Sequence, residues 1–379
     1  MKTIFDLPED LIVDEILSRV QMTSLRSVRS TCRKWNVLCK NRILFGKAAE
    51  AKKRFMMMDS RICLANFDVS KDRPSIKKVK VLDQIEISKV FQCNGLLLCV
   101  LKDCSRLLVW NPYLGQTRWI EPRHSFQRDD RFAIGHDSNN LNHKILRIFE
   151  IDLVADRLVF GFELYEFSSS SWKVLDDVAP QWEILSDVRS VSLKGNAYFT
   201  AHKNTSEEWT ERRRVLCFDL TTERFGPLLP LPFQYERGGL FTSLSVFREE
   251  QLAVSYQHRV SRGTVEIIVT DKIGPDVVSW TKFFKLVTNY CLRPYSGSFF
   301  TDEEKKLAVF FVLDSCCYQT AHVIGQDGYF KSVRIREAPY LENDFYPRIR
   351  YCEPLVCASY LPSLVQLQTN QPNVLMERM

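Results

Sequence analysis

Twelve cysteines and six histidines are the residues of this 379-residue chain that could act as metal ligands, nucleophiles or proton carriers. Their spacing favours none of these roles. Cys93, Cys99 and Cys104 lie close together, as do Cys316 with Cys317 and Cys352 with Cys357. None repeats the two-residue gap that structural zinc sites use to bring four ligands onto one ion. Free cysteine is among the most often buried residue types, so these read as reduced thiols packed within strands. His124, His136, His143, His202, His258 and His322 are scattered, with no i, i+4 pair that would present two imidazoles on one helix face. The chain has no His-Glu-x-x-His, Gly-x-Ser-x-Gly, Gly-x-Gly-x-x-Gly or Walker-type motif. No catalytic, cofactor or metal residue is therefore nominated.

Composition sets the setting. An apolar fraction of 45% with 26% charged residues is that of an ordinary globular protein, and the length accommodates two domains. Asp6, Glu9 and Asp10 interrupt the N-terminal apolar residues, and no window of about 18 uncharged apolar residues exists, so neither a signal peptide nor a membrane span is expected. The expected location is intracellular, cytoplasmic or nuclear, where thiols stay reduced. The net charge of +6 is modest. Lys52-Lys53-Arg54 and Arg212-Arg213-Arg214 read as solvated surface, and nucleic-acid binding is a minor alternative.

Two kinds of element follow along the chain. In the first 45 residues, Leu11, Ile12, Ile16, Leu17 and Val20 recur at helical spacing behind Leu7 and Pro8. Pro8 suits a first helical turn, while Glu9, Asp10 and Asp14 place negative charge at the positive end of the helix dipole. A second helix is expected after Thr23 or Ser24, with Leu25, Val28, Cys32, Trp35, Leu38 and Cys39 on one side and Arg26, Arg29, Arg33 and Lys34 on the other. A segment of about 40 residues buries too little surface to be stable alone, so something must cover its apolar face.

Leu7-Pro8, Ile16-Leu17, Leu25, Val28 and Cys32-Arg33-Lys34-Trp35 stand in the order and spacing of an F-box, which residues 5–45 resemble. The resemblance implies a small all-α three-helix domain, taken as residues 1–50, that docks on the Skp-type adaptor and through it on the cullin of a ubiquitin ligase. Leu7, Pro8, Leu11, Ile12, Ile16, Leu17, Leu25, Val28, Cys32 and Trp35 are the candidate adaptor-binding residues, some of them shared with the domain's own core.

Beyond residue 55 the helical period gives way to short runs of Val, Ile, Leu, Phe and Tyr separated by turns, as in an all-β domain. Arg106 to Trp119 reads as a hairpin whose turn carries Asn111-Pro112 and Gly115. Similar hairpins end on Trp172, Phe225, Trp280 and Phe330, at intervals of roughly 50 residues that suit the four-stranded blades of a propeller. These aromatics are expected to be packing residues. Five blades fit within the chain. The sixth would combine Ile62–Phe67 and Ile76–Val81 with two C-terminal strands, Pro354–Ala358 and Leu364–Leu367, which closes the ring and hides its edges.

Cys93-Asn94-Gly95-Leu96-Leu97, Trp110-Asn111-Pro112, Phe218-Asp219-Leu220, Val278-Ser279-Trp280-Thr281-Lys282-Phe283 and Tyr360-Leu361-Pro362-Ser363-Leu364 resemble the F-box-associated domain of plant F-box proteins. Paired glycines of true Kelch repeats are absent from the blades, Gly238-Gly239 falling between two of them. The expectation is a six-bladed Kelch-like propeller over residues 55–379 that presents a loop-lined face to an unknown protein substrate, in a non-catalytic substrate receptor. The alternatives are a Kelch-like propeller oxidase with copper, and an F-box scaffold working outside a ubiquitin ligase.

Overall fold

The computed structural model describes Trp35 and most of the chain from Lys53 to Leu367. The other residues before 53, those after 367 and several intervening stretches, among them 67–74, 204–213, 288–297 and 339–354, lie outside the described residues. Trp35 is helical and half-buried; Leu7, Pro8, Leu11, Ile12, Ile16, Leu17, Leu25, Val28 and Cys32 fall in the undescribed part.

From Lys53 onward the described elements are strands. β1 (Lys53–Met58), β2 (Arg61–Asn66) and β3 (Ser75–Lys78) pair antiparallel in that order. Five blades of consecutive antiparallel strands follow. The first is β4 (Ile87–Cys93), β5 (Leu96–Leu101), β6 (Leu107–Asn111) and β7 (Gln116–Ile120). The second is β8 (Arg131–His136), β9 (His143–Val154), β10 (Arg157–Glu166) and β11 (Ser171–Val174). The third has five strands: β12 (Trp182–Ile184) and β13 (Val191–Leu193) both pair with β14 (Asn196–Lys203), then come β15 (Arg214–Asp219) and β16 (Arg224–Leu229). The fourth is β17 (Leu240–Phe247), β18 (Gln251–His258), β19 (Thr264–Ile273) and β20 (Val278–Val287). The fifth is β21 (Phe299–Asp302), β22 (Leu307–Leu313), β23 (Tyr318–Gly325) and β24 (Phe330–Glu337). Finally β25 (Leu355–Val356) pairs with β1 through Met56 and Met57, so a further sheet joins both ends of the domain.

The middle strands read as unbroken apolar runs because both of their faces are covered. All six residues of β5 are buried: Leu96, Leu98 and Val100 pack toward the second blade with Phe132, Ile134 and Tyr165, while Leu97, Cys99 and Leu101 pack toward the shared sheet with Phe55, Met57 and Ile62. The pattern repeats around the molecule. Ala133 and Phe162 meet Phe199 and Phe218 between the second and third blades; Tyr198 and Val215 meet Leu252 and Val254 between the third and fourth. Ile267 and Phe284 meet Phe299 and Phe310 between the fourth and fifth, and Phe311 and Val323 meet Met56 and Met58 of β1.

The five periodic aromatics all sit on outermost strands: Trp119 on β7, Trp172 on β11, Phe225 on β16, Trp280 on β20 and Phe330 on β24. Each is half-buried against an apolar layer, the packing role expected of it. Phe225 lies 4.8 Å from Phe218 of its own blade and 5.4 Å from Phe162 of the preceding one, in edge-to-face geometry.

Two expectations need correction. The shared sheet takes three strands from the start of the domain and one from the end, because Phe55, Met56, Met57 and Met58, all buried, form a strand that an alternating pattern does not reveal. Residues 364–367 form no strand; they are strapped across the first blade, where Asn111 Nδ2 donates to Ser363 O (3.1 Å) and Val365 O (2.7 Å) and Leu367 N–H donates to Gln116 Oε1 (3.0 Å). Lys53 and Arg54 belong to β1, and Arg214 opens β15.

Candidate functional site

Antiparallel strands alternate in direction, which sorts the connections onto two faces. One face carries tight turns. Asn94-Gly95 joins β4 to β5 and Lys194-Gly195 joins β13 to β14, and all four residues have positive φ, as two-residue hairpins of the primed types require. At Gly195 (φ +85°) a side chain is excluded for a second reason: a Cβ would lie 2.7 Å from His136 O. On the opposite face lie the strand ends that bound the longer intervals, from β7 to β8 (121–130), from β16 to β17 (230–239), from β20 to β21 (288–298) and from β24 to β25 (338–354), of which 234–239, 288–297 and 339–354 are outside the described residues. Such connections on a rigid scaffold are where binding residues concentrate.

The scaffold beneath them is fastened blade to blade. Between neighbouring innermost strands, Ser192 Oγ donates to Ile134 O and Ser245 Oγ to Phe299 O (2.8 Å), and His136 N–H donates to Gly195 O (3.0 Å) in the turn after β13. On the outside, Trp172 Nε1 donates to Glu121 O (2.8 Å) and Trp280 Nε1 to Pro230 O (2.9 Å). In both cases the acceptor is the residue just past the outermost strand of the preceding blade. The indole is thus a clasp as well as a packing surface, which apolar periodicity alone did not indicate. Trp172→Phe keeps the packing and removes the donor, and is expected to lower stability by about 1 kcal/mol, as read by denaturant unfolding.

Buried charge clusters on both faces at the second blade. On the wide-loop side, the Arg147 guanidinium donates to Asp130 Oδ2 (2.8 Å), Glu163 Oε2 (3.0 Å) and Ser125 O (2.8 Å), between the rings of Phe126 and Phe149. Burial pushes the Asp130 carboxyl up, opposed by the Gln127 N–H and by Arg147. Lys89, lowered chiefly by burial, donates to Arg128 O and Asp130 O and ties β4 to the 121–130 connection. On the tight-turn side, Lys144 Nζ donates to Leu220 O (2.9 Å) and Glu223 Oε1 (2.9 Å), and Glu223 also pairs with Lys173, joining the second and third blades. Removal of one buried partner leaves the other charge uncompensated, so these groups hold the loops in place.

His136 and His143 lie beside this second cluster, ring centroids 5.7 Å apart. Burial first, then His136, lowers His143 from 6.5 to about 4. Between those values the unfolded chain binds the proton and the folded one does not, so stability is full above pH 6.5 and falls as the pH drops toward 4. The expected loss at pH 5 is about 2 kcal/mol. His143→Phe should flatten that part of a stability profile measured from pH 7 to pH 4.5.

Among the described residues no group of three or more His, Cys, Asp or Glu is placed to hold a metal ion. Cys63, Cys93, Cys99 and Cys217 form no disulfide and are buried on strands, as expected for Cys93 and Cys99, whereas Cys316 and Cys317, expected to pack within a strand, lie in a turn. Burial pushes the Cys93 and Cys217 thiols up to about 12. No described helix is long and apolar enough to cross a membrane. Nine of the ten candidate adaptor residues lie outside the described residues, so the wide-loop face is the candidate site whose geometry is on view.

Comparison with known proteins covers both parts of the chain. Residues 4–47 match the F-box domain, and residues 53–367 match the F-box associated β-propeller domain. An F-box/kelch-repeat protein of Arabidopsis thaliana is 54% identical, over 98% of this chain and 98% of its own length. Two F-box proteins of the same plant are 46% and 42% identical, over 97% and 98% of this chain and 100% and 94% of their own lengths.

Proposed function

The chain belongs to the F-box proteins that carry an F-box-associated β-propeller domain, and from that premise we propose that it is the substrate-recognition subunit of an SCF-type cullin-RING ubiquitin ligase. The F-box grips the Skp-type adaptor, and through it the cullin, while the propeller holds a target protein on its wide-loop face. The observation that carries this reading is the union of the two domains in one chain, with relatives that share both along nearly their whole length. The receptor performs no bond chemistry: by holding its target near a charged ubiquitin-conjugating enzyme it raises the effective concentration of target lysines. The shared sheet makes the propeller a closed, six-bladed ring in this reading, and the protein works inside the cell. The apolar stripe Leu7, Pro8, Leu11, Ile12, Ile16, Leu17, Leu25, Val28, Cys32 and Trp35 supplies both the small helical core and the adaptor contact. A stable interface of this kind buries roughly 1,200–2,000 Å².

The test is reconstitution. Full-length chain mixed with purified Skp-type adaptor and cullin-RING should elute as one complex in size-exclusion chromatography. Separate elution at micromolar concentration overturns the proposal.

A further inference from the structure

The turn from β22 to β23 on the wide-loop face holds two adjacent cysteines, Cys316 and Cys317. Cys316 is exposed and Cys317 half-buried; of the other described cysteines four are buried and Cys104 is half-buried. Asp314 organises the turn. Its Oδ1 accepts from the N–H groups of Cys316 (2.9 Å) and Tyr318 (2.9 Å), and its Oδ2 accepts from Arg334 Nε (2.9 Å). Arg334 also lies 4.7 Å above the Tyr318 ring, and the carboxylate it binds is the one that accepts from the Cys316 N–H. The most accessible described thiol thus sits on a turn whose organising carboxylate also holds a guanidinium, with a second thiol as its chain neighbour. Reactive cysteines share accessibility, adjacent positive charge and a nearby resolving thiol.

We propose that Cys316-Cys317 is a redox modification site for low-molecular-weight disulfides of the glutathione type. The Cys316 thiolate attacks one sulfur of the disulfide, that S–S bond breaks, and one glutathione leaves as a thiolate and takes up a proton. The product is a mixed disulfide on Cys316. Attack of the Cys317 thiolate on Cys316 Sγ then releases the second glutathione and leaves a Cys316–Cys317 disulfide. Adjacent Cα atoms lie about 3.8 Å apart, closer than an unstrained disulfide prefers. The second step is therefore the slower one, and its product is readily reduced by free thiol.

The experiment treats full-length protein with glutathione disulfide and follows intact mass and peptide maps over time. Expected is one adduct per chain, at Cys316, absent in Cys316→Ser and formed roughly 3- to 10-fold more slowly in Arg334→Gln. In Cys317→Ser the adduct should outlive that of the native chain. Adducts spread over other cysteines, no adduct at Cys316, a native rate in Arg334→Gln, or equal adduct lifetimes with and without Cys317 each overturn the proposal. All three substitutions lie on the surface turn or the outermost strand, and unchanged thermal unfolding separates lost reactivity from lost folding.

Discussion

Replacing Leu7 and Pro8 together by alanine is expected to weaken capture by a Skp-type adaptor by more than about 100-fold, that is, by about 3 kcal/mol. The physical reason is that a few fully desolvated anchors dominate such interfaces, and so short an apolar segment has little else to bury. In the helix expected from the sequence Pro8 would add a second effect, since its fixed φ suits a first helical turn and alanine would restore freedom that must then be lost on docking. The measurement is the dissociation constant of adaptor for full-length chain, with thermal unfolding of the propeller as the control. Undiminished affinity with an unchanged propeller transition sinks the adaptor assignment for these two residues.

Ending the chain at Glu353 is expected to leave the propeller unfolded at 37 °C. The deleted segment supplies β25, the only C-terminal strand described on the shared sheet, and its loss bares the edge of β1 at Met56 and Met57. It also removes Tyr360, whose ring lies 4.6 Å from Phe55, and Leu367, buried with Phe126 and Phe132. Asn111, fully buried, loses both carbonyl acceptors at once. Burying a large apolar side chain is worth about 1.5–3 kcal/mol, and a stranded buried amide costs about 1–3 kcal/mol. Together these approach the whole stability of a domain, about 5–15 kcal/mol. A retained cooperative transition in the truncated chain shows that the remaining sheets stand without the strap. Asn111→Ala gives a graded version and is expected to cost about 2 kcal/mol.

Much of the fold was legible because its signals are local. Strand-length apolar runs and the turn residues Asn94-Gly95 and Asn111-Pro112 announce hairpins, and an aromatic about every 50 residues announces their repetition. The closing sheet was only half legible. Phe55 to Met58 has no alternation to detect, because neighbours cover both of its faces, and residues 364–367 look like a strand but are held by side-chain hydrogen bonds from another blade. The charge clusters were not legible at all: Arg147 meets Asp130 17 residues away and Glu163 16 away, spacings that signify nothing until sheet pairing brings them together.

The sequence by itself determined that a segment with the F-box pattern precedes a repeated all-β domain, since both are set by short-range periodicity and by residue types at fixed offsets. Only the tertiary structure decided which ends meet in the shared sheet, which face carries the wide connections, and which of many similar polar residues become clasps. Those outcomes depend on contacts between residues far apart in the chain, such as Asn111 with Val365 and Trp280 with Pro230. They exist only once the backbone has closed on itself and buried groups must find partners.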